Sequence, residues 1–246
     1  VGDDVIELAA DNWLGGMIGA QAWRVAGTAV RAEQDQVRAL LAPLAEQPSF
    51  AYARVPTRDV TTVQCLEAGG MRLVDTNVTL EVAAIADVGA NLALARAARP
   101  DDANAVEHVA RTSFEMSRFH LDPLLAPGLA DEIKARWAAN FFRGQRGDFM
   151  VVAEHEGQVA GFLQLLLTHD GVLVIDLIAV LAQSRGRGLG AAMIAYAAHH
   201  CGSPKRFRVG TQVANATSLA LYQKMGFRVA QSAYMLHMHG RAGGAA

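Results

Sequence analysis

The chain has 246 residues, 52% hydrophobic and 19% charged, with 22 Lys and Arg against 24 Asp and Glu for a formal net charge of −2. Such a composition builds a sizeable core, in one large domain or two smaller ones, and excludes disorder as the dominant state. Balanced charge excludes a non-specific nucleic-acid binder, which needs a basic face.

After an irregular start, Ala29–Gln47 carries helical periodicity that Pro43 weakens, and Ser49–Val55 alternates as a strand. Thr57–Gly70 reads as a helix stopped by glycines, and Met71–Ala83 as a long alternating strand. The small, weakly patterned stretch "AIADVGANLA" places a boundary near residue 90. Beyond it come a short strand (Leu92–Ala98), a helix with an acidic first turn ("PDDANAVEHVARTSF") and a proline-bearing loop ("EMSRFHLDPLLAPG"). A helix, "LADEIKARWAANFFR", leads into three strands from Phe149 to Val180, turning at "EGQ" and "HDG". "RGLGAAMIAYAAHH" is a helix, "RFRVGTQV" a strand, "NATSLALYQKMG" a helix capped by Asn215, and "FRVAQSAYMLHMH" a closing strand. The expected organisation is a 1–90 α/β domain, a 91–240 domain, and a disordered 241–246 tail.

The apolar region Gly161–Ala182 is broken by "THDG" and Asp176, short of the roughly 20 uncharged residues a membrane span needs. Cys65 and Cys201 make no CxxC or zinc spacing, and "VGDDVIELAADNW" lacks a signal-peptide pattern. A cytoplasmic protein with free thiols is expected. His237 and His239 share a strand face, but no Cys or acidic residue lies close in sequence, so no metal is expected. One internal echo stands out. "CLEAGGMRLVDTNVTLEV" and "LYQKMGFRVAQSAYMLHM" align Gly70 with Gly226, Met71 with Phe227, Leu66 with Tyr222 and Asp59 with Asn215. On that alignment the first half is a divergent partial copy, without the tyrosine or a glycine loop, and catalytically silent.

The stretch "QSRGRGLGAAMI" spaces Gly186, Gly188 and Gly190 at every second residue. A dinucleotide fingerprint needs GxGxxG and a following acidic residue, and a Walker loop needs GxxxxGK with Ser or Thr; neither is present. What remains is bare backbone opening a helix between Arg185 and Arg187. Unpaired amides there attract an anion, but a glycine turn serving close packing reads equally well from the sequence. Asn215 and Tyr222, seven apart on the later helix, project from one face.

Together, "IAVLAQSRGRGLG" and "NATSLALYQKMGF" resemble the two signature motifs of the GCN5-related N-acetyltransferases (GNAT), over roughly residues 91–240. The resemblance implies a mixed, largely antiparallel central sheet in an α/β (α+β) fold, preceded by the smaller α/β domain. It implies acetyl-CoA as cofactor, its pyrophosphate held at Arg185, Gly186, Arg187, Gly188, Leu189, Gly190 and Ala191. Its pantetheine arm would pair with Ile178, Ala179 and Val180, with Asn215 contacting the arm and Tyr222 as general acid. "TSFEMSRFHLDP", "ARWAANFFRG", "VGTQVANATSLALY" and "LEAGGMRLVDTNVTLEV" also resemble TDP-fucosamine acetyltransferases, although many of these carry proline where Ala182 stands. That implies a nucleotide-linked amino sugar as acceptor, met by Ser117, Arg118, Phe119 and Gln212; a homodimer is compatible. Asp176 is the candidate base, relaying a proton through water. An ordinary tyrosine is a weaker acid than a thiol, so proton donation by Tyr222 is uphill by roughly 2 kcal/mol unless the site intervenes. An acetyltransferase of protein N-termini, polyamines or drugs, and a non-catalytic acyl-CoA sensor, are the competing readings.

Overall fold

The computed structural model describes residues 6–241. The expected tail, Arg241 apart, lies outside the described residues. Two compact units are present: Val1–Asn77 with Leu121–Leu125 and Gln231–Ala246, and Val78–His120 with Ala126–Ala230. This differs from the expected division near residue 90. The sequence reading leaves each strand in the half where it is written, whereas strand pairing is indifferent to sequence distance.

In the first unit, β1 (Glu7–Ala10), α1 (Asn12–Ile18) and β2 (Gln21–Ala26) occupy the region expected to be irregular. Two glycines inside α1 and the lack of alternation in β1 hide them. The Asp11 side chain accepts from the Leu14 amide and Gly19 ends the helix at φ +75°. α2 (Gln34–Ala45) carries Pro43 in its last turn and buries Val37, Leu41 and Leu44. They pack with Ala51, Ala53, Leu66 and Met71 into the unit's core. β3 (Ser49–Pro56) runs parallel to β2, joined by α2, and β1 is antiparallel to β2. α3 (Val60–Ala68) leads to β4 (Arg72–Val82). The strand that completes this unit beside β3 is β10 (Arg228–His239), antiparallel from Ala233↔Pro56 to His239↔Phe50.

The second unit has the short β5 (Ala95–Ala97), α4 (Ala103–Ser113), α5 (Leu129–Phe142), β6 (Phe149–His155), β7 (Gln158–Leu167) and β8 (Val172–Val180). The expected strand at Leu92–Ala98 shrinks to β5 because Leu92–Leu94 forms a 3-10 turn. β5 to β8 form an antiparallel succession. α6 (Leu189–His200) crosses over to β9 (Arg206–Gln212), parallel to β8, and α7 (Ala216–Lys224) follows. The C-terminal part of β4 stands beyond β9. α6 covers one face of this sheet through Ala192, Met193 and Ile194, against Leu163, Leu165 and Phe207. α4 and α5 cover the other through Val106, Val109 and Ala138, against Val152 and Phe162. The result is the mixed, largely antiparallel α/β architecture expected.

The sequence echo is also a geometric one. Asp59 and Asn215 cap α3 and α7 at φ −95°, ψ 66° and φ −86°, ψ 69°, accepting from Thr62 and Ser218 amides at 3.1 Å each. Gly70 and Gly226 take φ +102° and +92°, where only glycine is unstrained. The amide of Met71 reaches the Leu66 carbonyl at 3.0 Å, and that of Phe227 the Tyr222 carbonyl at 3.0 Å. Thus β3–α3–β4 and β9–α7–β10 share one backbone design. Each unit takes its strand beside the parallel pair from the other segment: β10 beside β3, β4 beside β9.

Candidate active site

β8 and β9 hold parallel register only from Val172↔Arg206 to Ile175↔Val209. Beyond it, Asp176–Val180 and Gly210–Gln212 line a cleft of about 690 Å³. Asp176 is the cause on the β8 side. β7 pairs Leu165 with Ile175 and Gln164 with Leu177, leaving Asp176 as a bulge. A bulge bends its strand and increases its twist. It also switches faces: Ile175 joins the core under α6, and Leu177 joins the core under α4 and α5. Ile178, Ala179 and Val180 therefore line the cleft with no ladder on the β9 side.

The glycine loop closes one end. Gly186 and Gly188 sit at φ +77° and +79°, and a Cβ at either would meet nothing within 4 Å. Close packing is not what keeps these two bare; left-handed backbone and open access are. Gly190 differs, since a Cβ there would stand 3.2 Å from Leu221 Cδ2, so it serves the approach of α6 to α7. Gly188 is the N-cap of α6, and the first helical bond runs from the Ala192 amide to the Gly188 carbonyl at 2.9 Å. The amides of Leu189, Gly190 and Ala191 precede that bond, at the positive end of the helix dipole. All three residues line the cleft with Gly186 and Gly188. Arg185 lines it too and fixes the loop, donating to the carbonyls of Val180 at 3.2 Å and Ser113 at 3.0 Å. Arg187 is exposed and is not part of the lining.

Asn215 and Tyr222 also line the cleft. The Asn215 side chain is already committed to its cap. Tyr222 is 2% exposed, and burial pushes its phenol well above the usual range. It remains a neutral donor, and its hydroxyl has no hydrogen-bond partner among the described residues.

Of the expected acceptor residues, Gln212 and Ser117 reach the cleft, Ser117 with its hydroxyl 2.6 Å from His120 Nδ1. Arg118 and Phe119 do not line it. Phe119 is 3% exposed, with the Arg118 guanidinium 4.4 Å over its ring, so no ring face is left to stack on a base. Asp176 lines the cleft, but its Oδ2 accepts from Trp137 Nε1 at 2.9 Å, Arg146 Nε at 2.7 Å and Gln164 Nε2 at 3.0 Å. Its Oδ1 accepts from Arg146 Nη2 at 2.7 Å. This carboxylate positions its neighbours, and the proton-relay role expected of it finds its lone pairs engaged.

Sequence reasoning missed Lys134, in the middle of α5. It is 8% exposed, lines the cleft, and places Nζ 4.9 Å from the ring centres of both Phe114 and Trp137. Burial first, then the nearby Arg118, pushes its ammonium down to about 8. Ala130, Ile133 and Ala138 share its buried surface; a lysine in register with small and apolar positions was the available signal. Ser113 Oγ, also in the lining, is buried without a hydrogen-bond partner. In the first unit, Asp122 Oδ2 lies 2.7 Å from His237 Nδ1 and 2.8 Å from His239 Nε2. Folding brings Asp122 to these histidines from 115 and 117 residues away, an acidic partner that no spacing along the chain discloses. Among the described residues this is the cluster with metal-ligating spacing, and hydrogen bonding within it satisfies the buried carboxylate.

Residues 109–227 match the family model described as "Acetyltransferase (GNAT) family". The chain is 36% identical over 141 residues, 56% of its length, to the spore coat polysaccharide biosynthesis protein SpsD of Bacillus subtilis (strain 168). It spans 48% of that curated relative. Among solved structures it resembles a functionally unknown conserved protein from Staphylococcus epidermidis ATCC 12228 with a TM-score of 0.65 at 12% identity, over 98% of this chain and 93% of the other. A GCN5-related N-acetyltransferase from Sphaerobacter thermophilus superposes with a TM-score of 0.59 at 14% identity, over 97% and 77%. Identities this low speak for a shared fold. No helix among the described residues is long and apolar enough to cross a membrane.

Proposed function

We propose, from the premise that residues 109–227 are an acetyltransferase domain of the GNAT family, that this chain transfers an acetyl group from acetyl-CoA to a primary amine on a sugar-linked acceptor. The observation that carries the reading is the open strand end meeting a bare, left-handed glycine loop at a helix N-terminus. These residues fit the cofactor: Gly186 and Gly188 have room where a side chain would stand, and the amides of Leu189, Gly190 and Ala191 suit a pyrophosphate. Bound there, the cofactor supplies an activated acyl group as a thioester. The free backbone edge of Ile178–Val180 suits the amide groups of a pantetheine arm, and an amide at that edge can face the developing oxyanion. Tyr222 presents a neutral hydroxyl to a leaving thiolate. With its acidity weakened further by burial, it acts by donating a hydrogen bond as charge develops on sulfur rather than by releasing its proton early.

The sugar-linked acceptor is supported by the similarity to SpsD. The amino group of a nucleotide-linked amino-deoxy sugar is the finer form of this reading, with Ser117 and Gln212 on the acceptor side of the cleft. The first unit is proposed to be catalytically silent: β2 pairs with β3 over Gln21–Val25, almost its full length, and opens no comparable gap. A thiol-release assay with acetyl-CoA against nucleotide-linked amino sugars, polyamines and N-terminal peptides tests this. Activity with the amino sugars is expected; turnover confined to polyamines or peptides would overturn the acceptor, and CoA binding without turnover on any amine would overturn the enzyme.

A further inference from the structure

The acceptor nitrogen reaches the cleft as an ammonium and must lose a proton before it can attack. Asp176 is saturated by four donors, and Glu115, the other carboxylate in the lining, is exposed and 3.4 Å from Arg185. Lys134 is the cleft's buried basic group with no hydrogen-bond or ion-pair partner among the described residues. Its Nζ stands 4.9 Å from the ring centres of Phe114 and Trp137. Ring faces stabilise an ammonium in part but accept no conventional hydrogen bond, so a desolvated charge there is poorly compensated.

We propose that Lys134 is the general base of the transfer, acting on the acceptor amine; this deepens the acetyltransferase reading and rests on it. The N–H bond of the acceptor ammonium breaks and an N–H bond forms on Nζ. The electron pair left on the acceptor nitrogen forms the C–N bond as the thioester C–S bond breaks. The nitrogen sheds its second proton as it becomes an amide. Carried by water or through the Tyr222 hydroxyl, which gives one proton up and takes one back, it protonates the departing sulfur. Lys134 returns its own proton to water after release.

The charged groups facing Lys134 are Arg118 on the loop after α4, Arg146 beyond the end of α5, and Asp176 on β8. The two guanidiniums oppose its protonation and Asp176 favours it. Burial and the guanidiniums prevail, leaving an amine that titrates at about 8, near the range a general base needs. A base must be unprotonated, so turnover rises with pH through that value. Charge alone would not require this, which separates a base from an anchor for an anionic acceptor group.

The test uses Lys134→Met and Lys134→Arg in the full chain, with CoA affinity measured alongside turnover. Both variants are expected to bind CoA within about twofold of wild type, to lose about 10²–10⁴-fold in kcat, and to lose the rising limb. Arg restoring turnover while Met raises KM would identify an anchor and overturn the proposal, as would unchanged kcat in Met. Because either variant can misfold, the Lys134 resonance of the wild-type protein is titrated by NMR after labelling at the side-chain carbon. A midpoint near 8 supports the proposal, and an ordinary lysine midpoint near 10.4 overturns it. Wild type that binds CoA but acetylates no amine, with Lys134 still titrating near 8, would sink the parent reading separately.

Discussion

β3–α3–β4 and β9–α7–β10 have the same cap, the same left-handed glycine and the same carbonyl contacts, yet the cleft belongs to the second alone. At the matched position one carries Leu66, 1% exposed in an apolar core, and the other Tyr222, 2% exposed against the cleft. The parallel pair leading into each differs more. β2 stays laddered to β3 through Val25, whereas β8 leaves β9 after Ile175, at the bulge. The helix-cap-and-glycine unit is therefore packing hardware, and chemistry enters through three departures: a bulge, a bare loop and a hydroxyl. Asn215 illustrates the caution this imposes, because its role as a cap is shared with Asp59 and needs no ligand.

The comparison can be broken at each of these points. The largest effect is expected from Tyr222→Phe, which should lower kcat by about 10²-fold or more while leaving CoA affinity and thermal stability near wild type. Full turnover would remove the hydroxyl from the reaction. Leu66→Ala should do the reverse, costing about 2–5 kcal/mol in denaturant unfolding with kcat/KM preserved where the protein is folded. A selective loss of kcat would end the idea of a silent first unit. Gly188→Val places a β-branched residue at φ +79° and should weaken CoA binding by about tenfold or more in calorimetry, whereas an unchanged Kd would return the loop to a structural turn. The smallest effect sharpens the match itself. Asp59→Ala and Asn215→Ala should each cost about 1 kcal/mol, and Asn215→Ala alone should also weaken CoA. Equal CoA affinity in the two variants would leave Asn215 with its cap and nothing more.

Much of this was legible from residues in order. Asp59, Asn215, Gly70 and Gly226 announced their helix ends because capping is local chemistry, within four residues of its cause. Gly186 and Gly188 announced a bare loop, but only the open space around them separated access from packing. Asp176 was visible as a charge on an apolar strand; its four donors come from α5, β7 and the loop at Arg146, and no spacing rule joins them. Lys134 was hidden by habit, since a lysine in a helix normally faces water. Asp122 and the two histidines were hidden by distance along the chain.

The exchange of strands has a consequence in time. During synthesis β3 emerges well before the strand that flanks it, β10, some 180 residues further on. Until β10 has been made, the edge of β3 stays unpaired, carrying Phe50, Ala51 and Ala53 that end up in a core. Closing that edge links segments some 180 residues apart, the kind of distant contact that slows folding. Refolding should accordingly be slower than in a protein whose halves finish independently. The nascent chain has reason to engage a chaperone until β10 is released.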